Sequence, residues 1–318
     1  MPPRPAKFLK SCLLAVSKIA VSIGLLYLLA RHMDTTAVWD ALAGLPLDAP
    51  AFAWAVLIIQ TLVLSLRWWL VIGAIGTPFA YGKVVPLMFI GIFFNQVLPS
   101  SFGGDAVRMW RIYRSGIPYQ AAINGVLLER ISGLVGLVVV VALGIGYMGA
   151  RIDDLPLRYG LLAMLPLTLL GTAFLAALDR LPGHWRRWRP LREVARLAAD
   201  SRRILLDPPA AIPLLVLSIL SHVLAAVAIF ALADGLELGV TLWDSLALAP
   251  AVVLVTIIPV SFAGWGLREG AMVMMFGFAG VAADAALAMS IVFGVVMLAA
   301  SLPGCVLWLA WRETSPAG

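Results

Sequence analysis

Apolar residues run on in this chain for about 20 positions at a time, the length that carries a helix across a hydrocarbon core about 30 Å thick. Full spans are predicted near 12–30, 51–73, 119–149, 158–178, 210–233 and 285–311. Two further apolar stretches, 84–117 and 245–280, are broken near the middle by Pro and Gly. The pattern predicts an all-α polytopic integral membrane protein with about six full spans plus two Pro/Gly-broken helical hairpins.

Composition agrees. Of 318 residues, 62% are hydrophobic and 13% charged, against about 45–50% and about 25% in soluble domains. The 28 Gly and 20 Pro sit among the apolar runs, which excludes low-complexity disorder. Cys12 and Cys305 lie near opposite ends of the chain and suggest neither a disulfide framework nor a metal site. The basic opening MPPRPAKFLK leads into an apolar run without a small-residue cleavage site, so a retained signal anchor is expected.

The net charge of +6 concentrates in loops between apolar segments, where it reads as topology and attraction to anionic lipid rather than nucleic-acid binding. Treating 84–117 as a hairpin keeps Arg111 and Arg114 on the cytoplasmic side with Arg4, Lys7, Lys10, Arg67 and Lys83. The loop 179–209, with eight Arg against four acids, falls on the same side. The outer side then receives Asp34, Asp40 and Asp48, the mixed loop 151–158, and Asp234, Glu237 and Asp244. A second hairpin at 245–280 returns the C-terminus to the cytoplasm, so both termini are expected there.

The two interruptions match each other. One reads Pro99-Ser-Ser101-Phe102-Gly103-Gly104-Asp105-Ala-Val-Arg108 and the other Pro259-Val-Ser261-Phe262-Ala-Gly264-Trp-Gly266-Leu-Arg268, sharing P-x-S-F-x-G-x-x-x-R. Each break follows two spans and precedes one, which predicts one transmembrane domain over 1–318 built from half-repeats of about 12–149 and 158–311 in an inverted-topology repeat. Backbone released from helical hydrogen bonding is tolerated in a membrane only inside protein or along a watery cavity, and helix N-termini attract anions. Arg108, Arg268, Arg130, Ser101, Gly103, Gly104, Ser261, Gly264 and Gly266 are therefore the expected site for an anionic headgroup, most simply a phosphate, with Pro99 and Pro259 making the breaks. The alternative is that both breaks are helix-packing points, each Arg satisfied by a carboxylate.

These segments resemble a known family. Asn95 through Asp105 with Arg108, the run Glu129-Arg130-Ile-Ser-Gly133-Leu, and Ile258-Pro259 through Gly270 are similar to the lysylphosphatidylglycerol synthase transmembrane region, whose members include the flippase-like half of the bacterial multiple peptide resistance factor. The resemblance covers essentially the whole chain and implies a flippase-like fold that handles lipids at the cell membrane. Only a short tail follows Trp311, so aminoacyl transfer is not expected.

Ionisable groups inside a membrane need partners or water. Glu129 is expected to face the bundle and pair with Arg108 or Arg268, leaving Arg130 freer for a lipid phosphate; the alternative is that Glu129 and Arg130 anchor the helix at the interface. Asp105 and Glu269 are candidates for neutralising the neighbouring Arg or for carrying a coupling proton. Asn95 and Asn124 read as interhelical hydrogen-bond partners or polar cavity lining, His222 as a satisfied buried histidine, Lys18 as a snorkelling side chain, and Arg67 with Trp68 and Trp69 as an interfacial anchor. The stretch His184 to Arg192 reads as a basic amphipathic helix on the inner leaflet rather than an RNA platform.

No P-loop, nucleophile elbow, metal-spaced His cluster or dinucleotide fingerprint is present in the sequence; no cofactor, metal or enzymatic activity is expected. A lipid translocase is the leading expectation, with anionic lipids as partners and no nucleic acid. A non-transporting accessory protein, working beside envelope-biosynthesis enzymes, is the second, and an intramembrane lipid-modifying enzyme using Glu129, Asp105 or Glu269 as base is the third.

Overall fold

Helices account for all the regular structure in the computed structural model, which describes residues 5–31, 35–98, 102–148, 155–178, 189–258 and 260–310. In chain order they are α1 (Pro5–Ala30), α2 (Thr35–Gly44), α3 (Asp48–Ala74), α4 (Tyr81–Val97), α5 (Gly103–Arg114), α6 (Tyr119–Met148), α7 (Leu155–Ala177), α8 (Arg189–Leu205), α9 (Pro208–Gly235), α10 (Leu242–Thr256), α11 (Leu267–Gly277) and α12 (Ala283–Ala310). Among the described residues, α3, α6, α7, α9 and α12 are long and apolar enough to cross a membrane, and Val16–Leu28 forms a shorter apolar stretch in α1. The chain is a multi-pass membrane protein. Pro99, Ser101 and Pro259, expected at the two breaks, lie outside the described residues, as does the segment 184–188.

Both interrupted stretches are helical hairpins: α4 packs on α5, and α10 on α11. Local chemistry sets their ends. At the start of α10 the Thr241 hydroxyl accepts from the Asp244 N–H at 3.2 Å while the Asp244 carboxylate accepts from the Thr241 N–H at 3.0 Å, a reciprocal cap for two otherwise unpaired donors. The second break holds Ala263, Gly264 and Gly266 at φ of 46°, 84° and 84°, a left-handed path that glycine follows without steric cost.

Helix packing obeys an exchange of halves. The pairs α3–α4, α4–α5, α5–α6 and α3–α6 have the counterparts α9–α10, α10–α11, α11–α12 and α9–α12. Between halves, α4–α12 mirrors α10–α6, α6–α9 mirrors α12–α3, and the pair α3–α9 maps onto itself. Small residues permit the close crossings: a methyl group built on Gly304 of α12 would lie 2.1 Å from the Phe89 carbonyl oxygen of α4, and one on Gly144 of α6 would lie 2.7 Å from the Ala247 carbonyl oxygen of α10. The largest core cluster gathers around Ile229, Leu232, Met272, Phe276 and Met289 in the second half, and a smaller one around Trp68, Leu87 and Ile112 in the first.

The outermost helices break the symmetry. Helix α1 packs on α11, whereas α7 packs on α6 and α8. Helix α8 buries the face carrying Ala195, Ala198, Ser201 and Ile204 against the bundle, through contacts with α3, α6, α7 and α9. Asn124 of α6 donates to the Asp200 carboxylate of α8 at 2.6 Å, and burial pushes that carboxyl above its ordinary range against the pull of Asn124 and Arg203.

Candidate functional site

The first hairpin carries its charge in a ribbon of alternating sign. Arg67 of α3 donates to one oxygen of Glu129 on α6, and the other oxygen accepts from Arg108 of α5 at 3.3 Å. Arg108 also donates to Asp105 Oδ1 at 2.5 Å, and Asp105 Oδ2 accepts from Arg130 Nε and Nη2 of α6 at 2.9 and 2.8 Å. The order is thus Arg67, Glu129, Arg108, Asp105, Arg130: three guanidinium groups on two carboxylates. Four of these side chains are at most 6% exposed, and Arg130 is 45% exposed.

Helix geometry places these groups. Asp105 and Arg108 are three residues apart on α5, close enough to pair on one face. Glu129 and Arg130 are adjacent on α6 and point about 100° apart, so one turns inward while the other reaches the rim. Arg108 lies over the Trp68 ring at 4.7 Å and beside the Met88 sulfur at 3.2 Å. Room for it comes from Gly91, where a methyl would lie 2.7 Å from the Arg108 side chain. Helix α5 starts against α4 through Gly104, whose N–H donates to Asn95 Oδ1 at 2.8 Å.

Arg67 and Trp68 correct the sequence reading. They were expected as interfacial anchors, yet Arg67 is 5% exposed and Trp68 is fully buried, because Glu129 and Ser218 Oγ, at 3.2 Å, give Arg67 interior partners. Its long stem inside an apolar helix carries no sequence signal that separates snorkelling from burial.

The second hairpin pairs its Arg with an acid of the same helix. Arg268 Nη2 donates to Glu269 Oε1 at 2.5 Å, and its Nε donates to the same oxygen at 3.1 Å and to Ser290 Oγ at 3.3 Å. Glu269 Oε2 accepts the Gly266 N–H at 2.5 Å, so the start of α11 is met by the chain's own carboxylate. Arg268 lies 4.6 Å over the Trp265 ring, with Gly294 making the space for its guanidinium. From α1, Ser22 Oγ accepts the Phe262 N–H at 2.8 Å, and Leu25 seals Gly266. Ser261 is buried and Gly264 half-buried in this covered turn.

Sequence reasoning put Arg108 and Arg268 around one midplane site. Among the described residues, the hydrogen bonds of Arg108 go to Met88, Asp105 and Glu129, and those of Arg268 to Glu269, Ser290 and Met297. Of the residues expected at the site, Arg108, Asp105, Glu129, Arg130, Gly103, Gly104 and Asn95 gather at the first hairpin, while Arg268, Glu269, Ser261, Gly264 and Gly266 gather at the second. Asn124 lies apart from both, against α8. At the helix N-termini, Asn95 accepts from the Gly104 N–H of α5 and Glu269 from the Gly266 N–H at the start of α11. His222 donates from Nε2 to the Gly133 carbonyl at 3.1 Å, fixing α9 to α6. No group of acids, His and Cys suited to a metal occurs among the described residues.

No curated protein matches the chain. The family model described as the lysylphosphatidylglycerol synthase TM region matches residues 15–304, from within α1 to within α12. The chain therefore belongs to the lysylphosphatidylglycerol synthase transmembrane region family.

Proposed function

We propose that this protein is a lipid translocase of the cytoplasmic membrane, with both termini in the cytoplasm. It passes an anionic lipid between leaflets without altering it chemically; phospholipids, aminoacylated lipids and polyprenyl-phosphate-linked lipids share the required phosphate. One observation carries this reading: the ribbon of alternating charge ends, at its accessible end, on a cation. A guanidinium half in contact with its surroundings and backed by a buried network binds a phosphate in paired N–H···O bonds, and ionisable residues held inside a membrane are the usual markers of a substrate path. The family supports a role with membrane lipids.

Arg268 supports a second reading for its own half. It is buried and matched by Glu269, as a packing device in an accessory protein would be. The two readings part on a pair of variants in proteoliposomes, with lipid movement followed by quenching of a fluorescent phospholipid. Arg130→Gln is expected to slow transfer about tenfold, one charge-assisted contact's worth, with little change in melting temperature. Arg268→Gln is expected to lower the melting temperature and leave the surviving folded fraction active. If wild-type protein moves no phospholipid, aminoacylated lipid or polyprenyl phosphate, the accessory reading replaces translocation.

A further inference from the structure

We propose that Asp105 is a built-in competitor for the anion: its carboxylate occupies on Arg130 the place that a phosphate takes when the site loads. This rests on the reading of Arg130 as the headgroup contact. Asp105 serves two guanidinium groups at once, Arg108 through Oδ1 and Arg130 through Oδ2. The Arg108 bond joins two side chains at most 4% exposed, whereas the Arg130 side chain is 45% exposed. Exchange is therefore easier at Arg130, whose half-exposed guanidinium an incoming anion can reach. Arg108, already shared with Glu129, holds Asp105 in place when Arg130 lets go.

The electrostatics favour an incoming anion. Three guanidinium groups face two carboxylates in the ribbon, a surplus of one positive charge that a phosphodiester monoanion cancels. Unused donors point the same way: among the described residues, Arg67 Nε, Trp68 Nε1 and Arg108 Nε are buried without a hydrogen-bond acceptor, although such groups are nearly always paired. Around Arg268 charge is balanced and Nε and Nη2 both have oxygen acceptors, so the same behaviour is not expected there.

A carboxylate that competes with the ligand lowers affinity and speeds release. Its neutralisation should raise affinity, the opposite of what loss of a merely structural ion pair does. Full-length protein in detergent is titrated with dioctanoyl phosphatidylglycerol and, separately, with inorganic phosphate. Asp105→Asn is expected to bind the lipid about tenfold more tightly than wild type, the scale of one charge-assisted hydrogen bond, and adding Arg130→Gln is expected to abolish the gain. A gain for both probes places recognition in the oxyanion; a gain for the lipid alone adds the acyl chains to it; either upholds the inference. Unchanged or weaker binding by folded Asp105→Asn overturns it. Should that variant not fold, the double variant Asp105→Asn/Arg108→Gln removes the pair without changing the net charge, and absence of tightening there overturns the inference equally. Tighter binding without lipid transfer in proteoliposomes would remove translocation and leave the competitor standing.

Discussion

The two hairpins set one motif in two electrostatic situations. Each places an Arg over a Trp ring beside a Met sulfur, with a glycine making room and an acid in the first turn of the helix after the break. In the second hairpin the acid matches the one cation, caps its own helix and lies under a turn sealed by α1. In the first, two acids divide among three cations and the last cation reaches the rim. Similar sequence motifs thus give a charge-balanced, covered ion pair in one half and an unbalanced, partly exposed charge ribbon in the other. Charge count and cover, rather than the motif, separate the two hairpins.

The comparison breaks most severely at Glu129. Glu129→Gln leaves Arg67 and Arg108 buried with only Asp105 between them, and loss of one partner in a buried pair costs about 3–5 kcal/mol. Little folded protein is expected, and fluorescence-detected size exclusion of the solubilised variant checks it. Charge reversal sharpens the point: Glu129→Arg with Arg108→Glu should recover some folded protein, whereas Glu129→Arg with Arg268→Glu should not, because Arg268 has no part in that ribbon.

A milder contrast lies at the mirrored crossings. Gly304→Ala drives a methyl into the Phe89 carbonyl and Gly144→Ala one into the Ala247 carbonyl, at 2.1 and 2.7 Å. Overpacking of this kind costs about 1–3 kcal/mol, so both should lower the melting temperature, Gly304→Ala by more. Equal shifts would mean that the two crossings relax alike.

The smallest effect is expected from Ser22→Ala. It removes the acceptor for the Phe262 N–H, about 1 kcal/mol for one hydrogen bond. Amide exchange should quicken over residues 260–266 and stay unchanged over 102–105. Faster exchange in both segments would show that α1 steadies the whole bundle and not the second break alone.

Much of the fold was legible because membrane crossing imposes a length and composition that a sequence displays directly. The spans near 51–73, 119–149, 158–178, 210–233 and 285–311 correspond to α3, α6, α7, α9 and α12, and the two Pro/Gly interruptions to helical hairpins. Helix α2 was missed, since ten residues carry too little periodicity beside longer apolar runs. The site was legible as residue types: Arg108, Asp105, Glu129 and Arg130 stand out as charges among apolar neighbours. Their pairing was only half legible, because a buried Arg67 and a snorkelling one have the same local sequence.

The sequence by itself determined that this chain is helical, crosses a membrane and breaks two of its apolar stretches, because hydrophobic length and Pro/Gly interruption act locally. Which Arg meets which carboxylate, which break α1 covers and which guanidinium stays exposed were decided only when helices far apart in the chain came together. Pairing is a property of distance and dielectric, and both come from packing rather than from any one segment.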